Sequence, residues 1–266
     1  MDKNLKKRKK EKFESIFLPI VSILVVGVIW QILCSTGILP ENKIASPAKV
    51  YEAFIMKLSD TSPDGATLMQ NTLSSLKITV LGLLLGIVVG VPLGLLMGWY
   101  RPVDKFVKPI FELIRPIPPI GWIPLSIVWI GVGDAAKIAI IFLAAFIPCV
   151  LNAQAGILGT NQVLINVSKT FGASNFYTFY KIGIPSALPL VFSGMRIAMG
   201  NTWGTLVAAE MLAANMGLGY MIIMGRQFGR PDIIILGMVV IGGLGYLFTY
   251  IFGRIEKAVV RGMDHA

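Results

Sequence analysis

Long apolar runs alternate with short charged stretches along this chain. The runs at 16–33, 78–97, 137–157, 188–212 and 233–252 each have the length of a helix that crosses the ~30 Å hydrocarbon layer of a bilayer. A sixth apolar stretch, 111–133, carries Pro116, Pro118, Pro119 and Pro124. Proline removes an amide donor and breaks a helix, and broken helix is tolerated at membrane depth only where it is buried in protein or lines a wet cavity. The pattern predicts an all-α, polytopic membrane protein of about six spans.

The polar segments between the runs carry their own signals. Ser46-Pro47 reads as an N-cap and first helical position, so an amphipathic helix is expected over 47–58 on the outer surface. Ser62-Pro63-Asp64-Gly65 is a turn, and Gly131-Val132-Gly133-Asp134 is a tight turn at the outer face. Gly82, Gly86, Gly90, Gly94 and Gly98 recur at every fourth position. Four residues advance a helix by about 400°, so the glycines form a slowly drifting smooth stripe that lets a neighbouring helix approach backbone to backbone. Trp99, Tyr100 and Arg101, with Lys105 and Lys108, follow as a basic loop with interfacial aromatics. Residues 215–232 form an outer segment with Gly217, Gly219, Gly225 and Gly229.

Composition supports the membrane reading. Of 266 residues 55% are hydrophobic and 14% charged, against about 25% charged in soluble domains. The net charge of +10 raises nucleic acid as a partner, but the cations form no basic face with interleaved aromatics. Seven of them crowd the N-terminus instead (Lys3, Lys6, Lys7, Arg8, Lys9, Lys10, Lys12), which places that end in the cytoplasm. Arg254, Lys257 and Arg261 do the same for the C-terminal end. No small-x-small cleavage site follows the first run, so it reads as a retained span. Cys34 and Cys149 have no metal or disulfide spacing, and the single His265 is penultimate, so no metal site is expected.

The stretch 166–189 is polar and amphipathic, yet it lies between two apolar runs. Lys169, Thr170, Ser174, Asn175 and Lys181 alternate there with Phe171, Phe176, Tyr177, Phe179 and Tyr180. Such a segment lies at or beyond the bilayer surface, and its aromatics point to a docking partner, unless it is an ordinary surface helix between two spans. Gly172, nine residues and then Ile182-Gly183-Ile184-Pro185 resemble the cytoplasmic EAA loop of ABC importer permeases, EAA-x3-G-x9-I-x-L-P. Asn166, Val167 and Ser168 stand at the EAA positions, so the family's acidic residue is missing, and Ile184 replaces leucine. The segment from Arg115 through Pro119 to Trp122 and Leu125, the run from Trp203 to Leu212, and Gly217-Leu218-Gly219-Tyr220 resemble the nitrate, sulfonate and taurine branch of these permeases.

The resemblance implies a type I importer fold divided into a basic tail (1–15), a first span with an outer segment (16–71) and a permease core (72–262) with a coupling loop at 158–187. It implies that Ser168, Lys169, Phe171, Gly172, Ala173, Phe176, Tyr177, Ile182 and Pro185 meet a separate ATPase. Two copies of that ATPase would bind ATP and Mg, a solute-binding protein would deliver cargo outside, and two copies of this chain would form the pathway in a prokaryotic plasma membrane. The cargo implied is a small anion such as a sulfonate, taurine or nitrate, with a thiamine-precursor-like heterocycle as the alternative.

Two charges stand in the 188–212 run, Arg196 and Glu210, about 21 Å apart along a helix. Intramembrane charges are costly and mark functional candidates, although both could instead bond to neighbouring helices. With Arg115, Pro119, Trp122 and Trp203 they form the candidate pathway set. No Gly-x4-Gly-Lys-Ser/Thr loop occurs in the sequence, so energy from ATP would have to come from a partner subunit. A secondary transporter or channel is the alternative. It requires charges in several spans and internal repeats, and the sequence offers one charged span and no clear repeat. An intramembrane enzyme would need a histidine or paired carboxylates inside the membrane, which the sequence lacks.

Overall fold

The computed structural model describes residues 2–40 and 43–263; His265 lies outside them. Among the described residues the chain is helical throughout, in the order α1 (Asp2–Ser35), α2 (Pro47–Lys57), α3 (Leu68–Trp99), α4 (Arg101–Ile114), α5 (Ile123–Ile130), α6 (Asp134–Leu158), α7 (Gln162–Thr170), α8 (Asn175–Thr178), α9 (Ile184–Ala213), α10 (Leu218–Gln227) and α11 (Pro231–Met263). Five stretches are long and apolar enough to cross a membrane: Phe17–Ser35, Leu68–Trp99, Asp134–Leu158, Asn175–Leu212 and Pro231–Glu256. A sixth is the pair Arg101–Ile114 and Pro119–Ile130, bent by 83° at the prolines.

α3, α6 and α9 form the centre. The glycine stripe of α3 faces α6, where small and β-branched residues repeat at the same spacing. A Cβ on Gly82 would lie 2.6 Å from Ile141 Cγ2, one on Gly90 3.0 Å from Cys149 Cβ, and one on Gly98 2.7 Å from Ile157 Cβ. Gly86 meets Ala145 and Gly94 meets Val150 and Ala153 in the same way. Cys149 is thus a small interface residue, fully covered by α3. Gly156 against Ala187 and Gly194 against Asn152 bring α6 and α9 equally close.

One element differs from the sequence expectation. The basic stretch after Trp99 is not a loop: α4 starts at Arg101, with Pro102 in its first turn, and buries Phe111 against Met97, Val150 and Phe146. Proline costs nothing at that place, because the first amides of a helix lack intrahelical acceptors. The outer segment at 215–232 contains a half-length helix, α10, closed by Gly229 at φ +63°. The amides of Gly229 and Arg230 return to the carbonyls of Arg226 and Gly225. Arg230 then forks onto Asp232 at 3.0 and 2.6 Å, and that hydrogen bonding holds the guanidinium pKa above its ordinary value.

α2 lies where its cap places it. Ser46 accepts from the Lys49 amide, Pro47 begins the helix, and Val50 and Ala53 pack on Leu218, Met221, Ile233 and Leu236 of α10 and α11. α1 is nearly unburied in its apolar part and meets the remainder through Trp30 and Gln31.

Candidate functional site

The segment 158–187 folds as two short helices around one glycine. α7 begins at Asn161, whose side chain accepts from the Val163 amide. It ends at Gly172, with φ +78°, where the Gly172 amide returns to Lys169 O at 2.9 Å and the Ala173 amide to Ser168 O at 3.1 Å. Glycine is favoured there because an L side chain in the left-handed region clashes with its own backbone. Ser174 then caps α8 by accepting from the Tyr177 amide at 3.2 Å. Ser168 and Thr178 join the two helices, hydroxyl to hydroxyl, at 2.9 Å. The fixed spacing before Gly172 is the length of α7, and the spacing after it is α8 plus a wide turn over Phe179–Gly183.

This unit presents one set of aromatics to solvent and anchors with another. Phe171 is 86% exposed, and Phe176, Tyr177 and Tyr180 are exposed beside it. Phe179 is buried between Trp99 and Tyr100, ring centroids 5.5 and 5.7 Å away. Trp99 also donates Nε1–H to Asn175 Oδ1 at 3.2 Å, and Gly183 packs under its ring. The α7–α8 unit is therefore fixed to the end of α3, the helix locked to α6 by glycines. Of the sequence candidates, Lys169 and Pro185 are exposed, and Ser168, Ala173 and Ile182 are half-buried supports.

The six pathway candidates do not form one cluster. Arg115, just past the end of α4, pairs with Glu112 of that helix at 3.0 Å. Pro119 and Trp122 form the tight turn before α5, and Ile123 packs that turn on Ile140 and Ala209. Trp203 is buried edge-on against Phe248 of α11, centroids 5.6 Å apart. Arg196 is 52% exposed and pairs with Glu256 of α11. Glu210 bonds to neighbouring helices: it is 0% exposed and both its oxygens are bound inside the bundle.

Those bonds belong to a network that the sequence reading missed. Lys57, also 0% exposed, donates to Asp64 Oδ1 and to Ala66 O, each at 2.6 Å. Asn71 donates to Asp64 Oδ2 at 2.6 Å and accepts from the Gly217 amide at 2.9 Å. Ser75 accepts from the Leu218 amide at 2.9 Å and donates to Glu210 Oε1 at 2.7 Å. Glu210 Oε2 accepts from the Gly219 amide at 2.8 Å. Three successive amides at the start of α10 are thus capped by side chains of α3 and α9, with a carboxylate at the positive end of the helix. Gly217 is extended beyond the range of other residues at φ +133°, and a Cβ on Gly219 would lie 2.7 Å from Val207 O. A signal existed: Asn71, Ser75 and Thr79 recur every fourth position ahead of the glycine stripe.

Comparisons with known proteins give the family of the chain. Residues 82–265 match the family described as binding-protein-dependent transport system inner membrane component. The taurine transport system permease protein TauC of Escherichia coli is 34% identical over 233 residues, covering 86% of this chain and 84% of that protein. The nitrate import permease protein NrtB of Synechocystis is 32% identical over 263 residues, covering 96% and 94%. In fold, a chain of the MetNI methionine ABC transporter in an inward-facing conformation aligns with a TM-score of 0.61 at 24% identity, over 72% of this chain and 95% of that one. The chain belongs to the family of binding-protein-dependent transport system inner membrane components and is a multi-pass permease of the ABC importer type.

Proposed function

We propose that this permease forms, with a second copy of itself, the alternating pathway for a small anion such as a sulfonate, taurine or nitrate. Two separate ATPase subunits drive it from the cytoplasm of a prokaryotic cell, and a solute-binding protein supplies cargo from the outer side. ATP and Mg belong to the ATPases. The observation that carries the reading is the rigid α7–α8 unit with Phe171, Phe176, Tyr177 and Tyr180 uncovered on its outer side. Large exposed aromatics on a water-facing surface have the character of interface anchors. Their supports, Ser168, Thr178 and Phe179, connect them to α3, so a push on the ridge reaches the spans through packed side chains.

The anion class is supported by the relatives named for taurine and nitrate and by the half-exposed Arg196. The sidedness follows from the cations that gather at the α7–α8 end: Arg101, Lys105, Lys108, Lys169 and Lys181. Reconstitution of this chain with an ATPase subunit that co-purifies with it tests the proposal. ATP-dependent uptake of a labelled sulfonate, taurine or nitrate is expected; uptake that proceeds without ATP would sink the importer reading. A heterocycle carried in preference to every anion would sink the cargo class alone.

A further inference from the structure

A cleft of about 490 Å³ lies behind the α7–α8 unit, between it, the start of α4 and the end of α6. Its polar lining is Arg101, Lys169, Gln162 and Asn175, and its apolar wall includes Trp99, Ile157 and Ile165. Two cations face this space and no carboxylate lines it. Among the described residues neither Arg101 nor Lys169 has a carboxylate in salt-bridge range. Asp104, one turn beyond Arg101, is taken by Gln154 at 2.7 Å. Trp99 fixes the Asn175 amide through its oxygen, which leaves the Asn175 Nδ2 as a donor. The ends of α3 and α6 border the cleft as well, and of their last carbonyls those of Leu96, Ala155 and Ile157 accept the amides of Tyr100, Gly159 and Thr160.

Two unpaired cations and two side-chain amides over an apolar wall fit one kind of ligand. An arginine fork grips the oxygens of a tetrahedral anion and a lysine adds a point charge. We propose that this cleft binds a negatively charged phosphate group, either the headgroup of an anionic lipid or a soluble phosphate compound. Bound there, the phosphate bridges α4 to α7 and braces the α7–α8 unit against the spans. This site is separate from the cargo pathway and shares only Lys169 with the residues that the resemblance assigns to the ATPase, so it stands whether or not the cargo assignment does.

The test uses the full chain in phosphatidylcholine nanodiscs, with thermal denaturation followed as either phosphatidylglycerol or inorganic pyrophosphate is titrated. A saturable rise in Tm with at least one probe is expected. Arg101→Gln and Lys169→Gln should each raise the half-saturating concentration about tenfold, the loss of one charge-assisted hydrogen bond. Lys108→Gln, an exposed cation of α4 outside the cleft, should titrate as the wild type does. A response to phosphatidylglycerol alone identifies the lipid headgroup, and one to pyrophosphate alone identifies a soluble anion. The proposal is overturned if neither probe saturates, if both cleft variants titrate like the wild type, or if Lys108→Gln weakens the response equally. Should Arg101→Gln not fold, Lys169→Gln on the solvent side carries the test.

Discussion

The hydroxyl of Ser75 on α3 donates to Glu210 Oε1 on α9 at 2.7 Å, and both side chains also hold amides of α10. One short bond thereby fixes three helices at the end of the bundle opposite the α7–α8 unit. Glu210→Ala removes the acceptor of the Gly219 amide and of Ser75 together. Each orphaned buried group costs about 1–3 kcal/mol, so Tm in detergent should fall by several degrees. Ser75→Ala should do the same, and the double variant should lose less than the sum, because the two share partners. An unchanged Tm in both single variants would refute the clamp.

The glycine stripe makes a positional prediction. Gly86→Leu and Gly90→Leu put a side chain into the backbone and Cβ atoms of α6 and should destabilise the bundle by at least about 1–3 kcal/mol each. Gly243→Leu on α11 meets nothing within 4 Å and should leave detergent stability unchanged. Equal behaviour of the three variants would mean that α3 and α6 are not packed through the glycines.

Gly172→Val forces a β-branched residue to φ +78°, a penalty of about 1–2 kcal/mol concentrated on one turn. The turn between α7 and α8 should open while membrane insertion stays normal, and ATP-dependent uptake should drop at least tenfold. Gly172→Asn, which tolerates the left-handed region better, should retain more activity. Wild-type uptake by the valine variant would remove the turn from coupling.

Phe171→Ala changes a side chain that supports nothing in this chain, since it is 86% exposed. Its Tm should equal that of the wild type, while co-purification with the ATPase and uptake should both fall. Phe179→Ala, by contrast, empties the space between Trp99 and Tyr100 and should lower Tm as well. A Phe171→Ala chain that still retains its ATPase in full would place the docking surface elsewhere.

Arg196 and Glu256 separate a structural role from a cargo role. If the pair only joins α9 to α11, Arg196→Ala and Glu256→Gln should affect uptake alike. Contact with an anion predicts instead that Arg196→Ala raises the apparent KM about tenfold while Glu256→Gln does not. Equal KM values in the two variants would take Arg196 out of the cargo path.

Much of this protein was determined by the sequence alone, and the reason is periodicity. Apolar runs of membrane length forced helices and the prolines from Pro116 to Pro124 forced a break, because each is a local rule of backbone chemistry. The five glycines likewise announced a packing face from one helix. What that face meets was decided only by the tertiary structure, as were the burial of Glu210 and Lys57, the capping of α10 by Asn71 and Ser75, and the pairing of Arg196 with Glu256. Each joins groups far apart in the chain, and a buried charge reads in sequence like an open one until the fold supplies its partner. The cleft between Arg101 and Lys169 exists for the same reason: only the docking of Trp99 against Phe179 sets those two cations on the walls of one space.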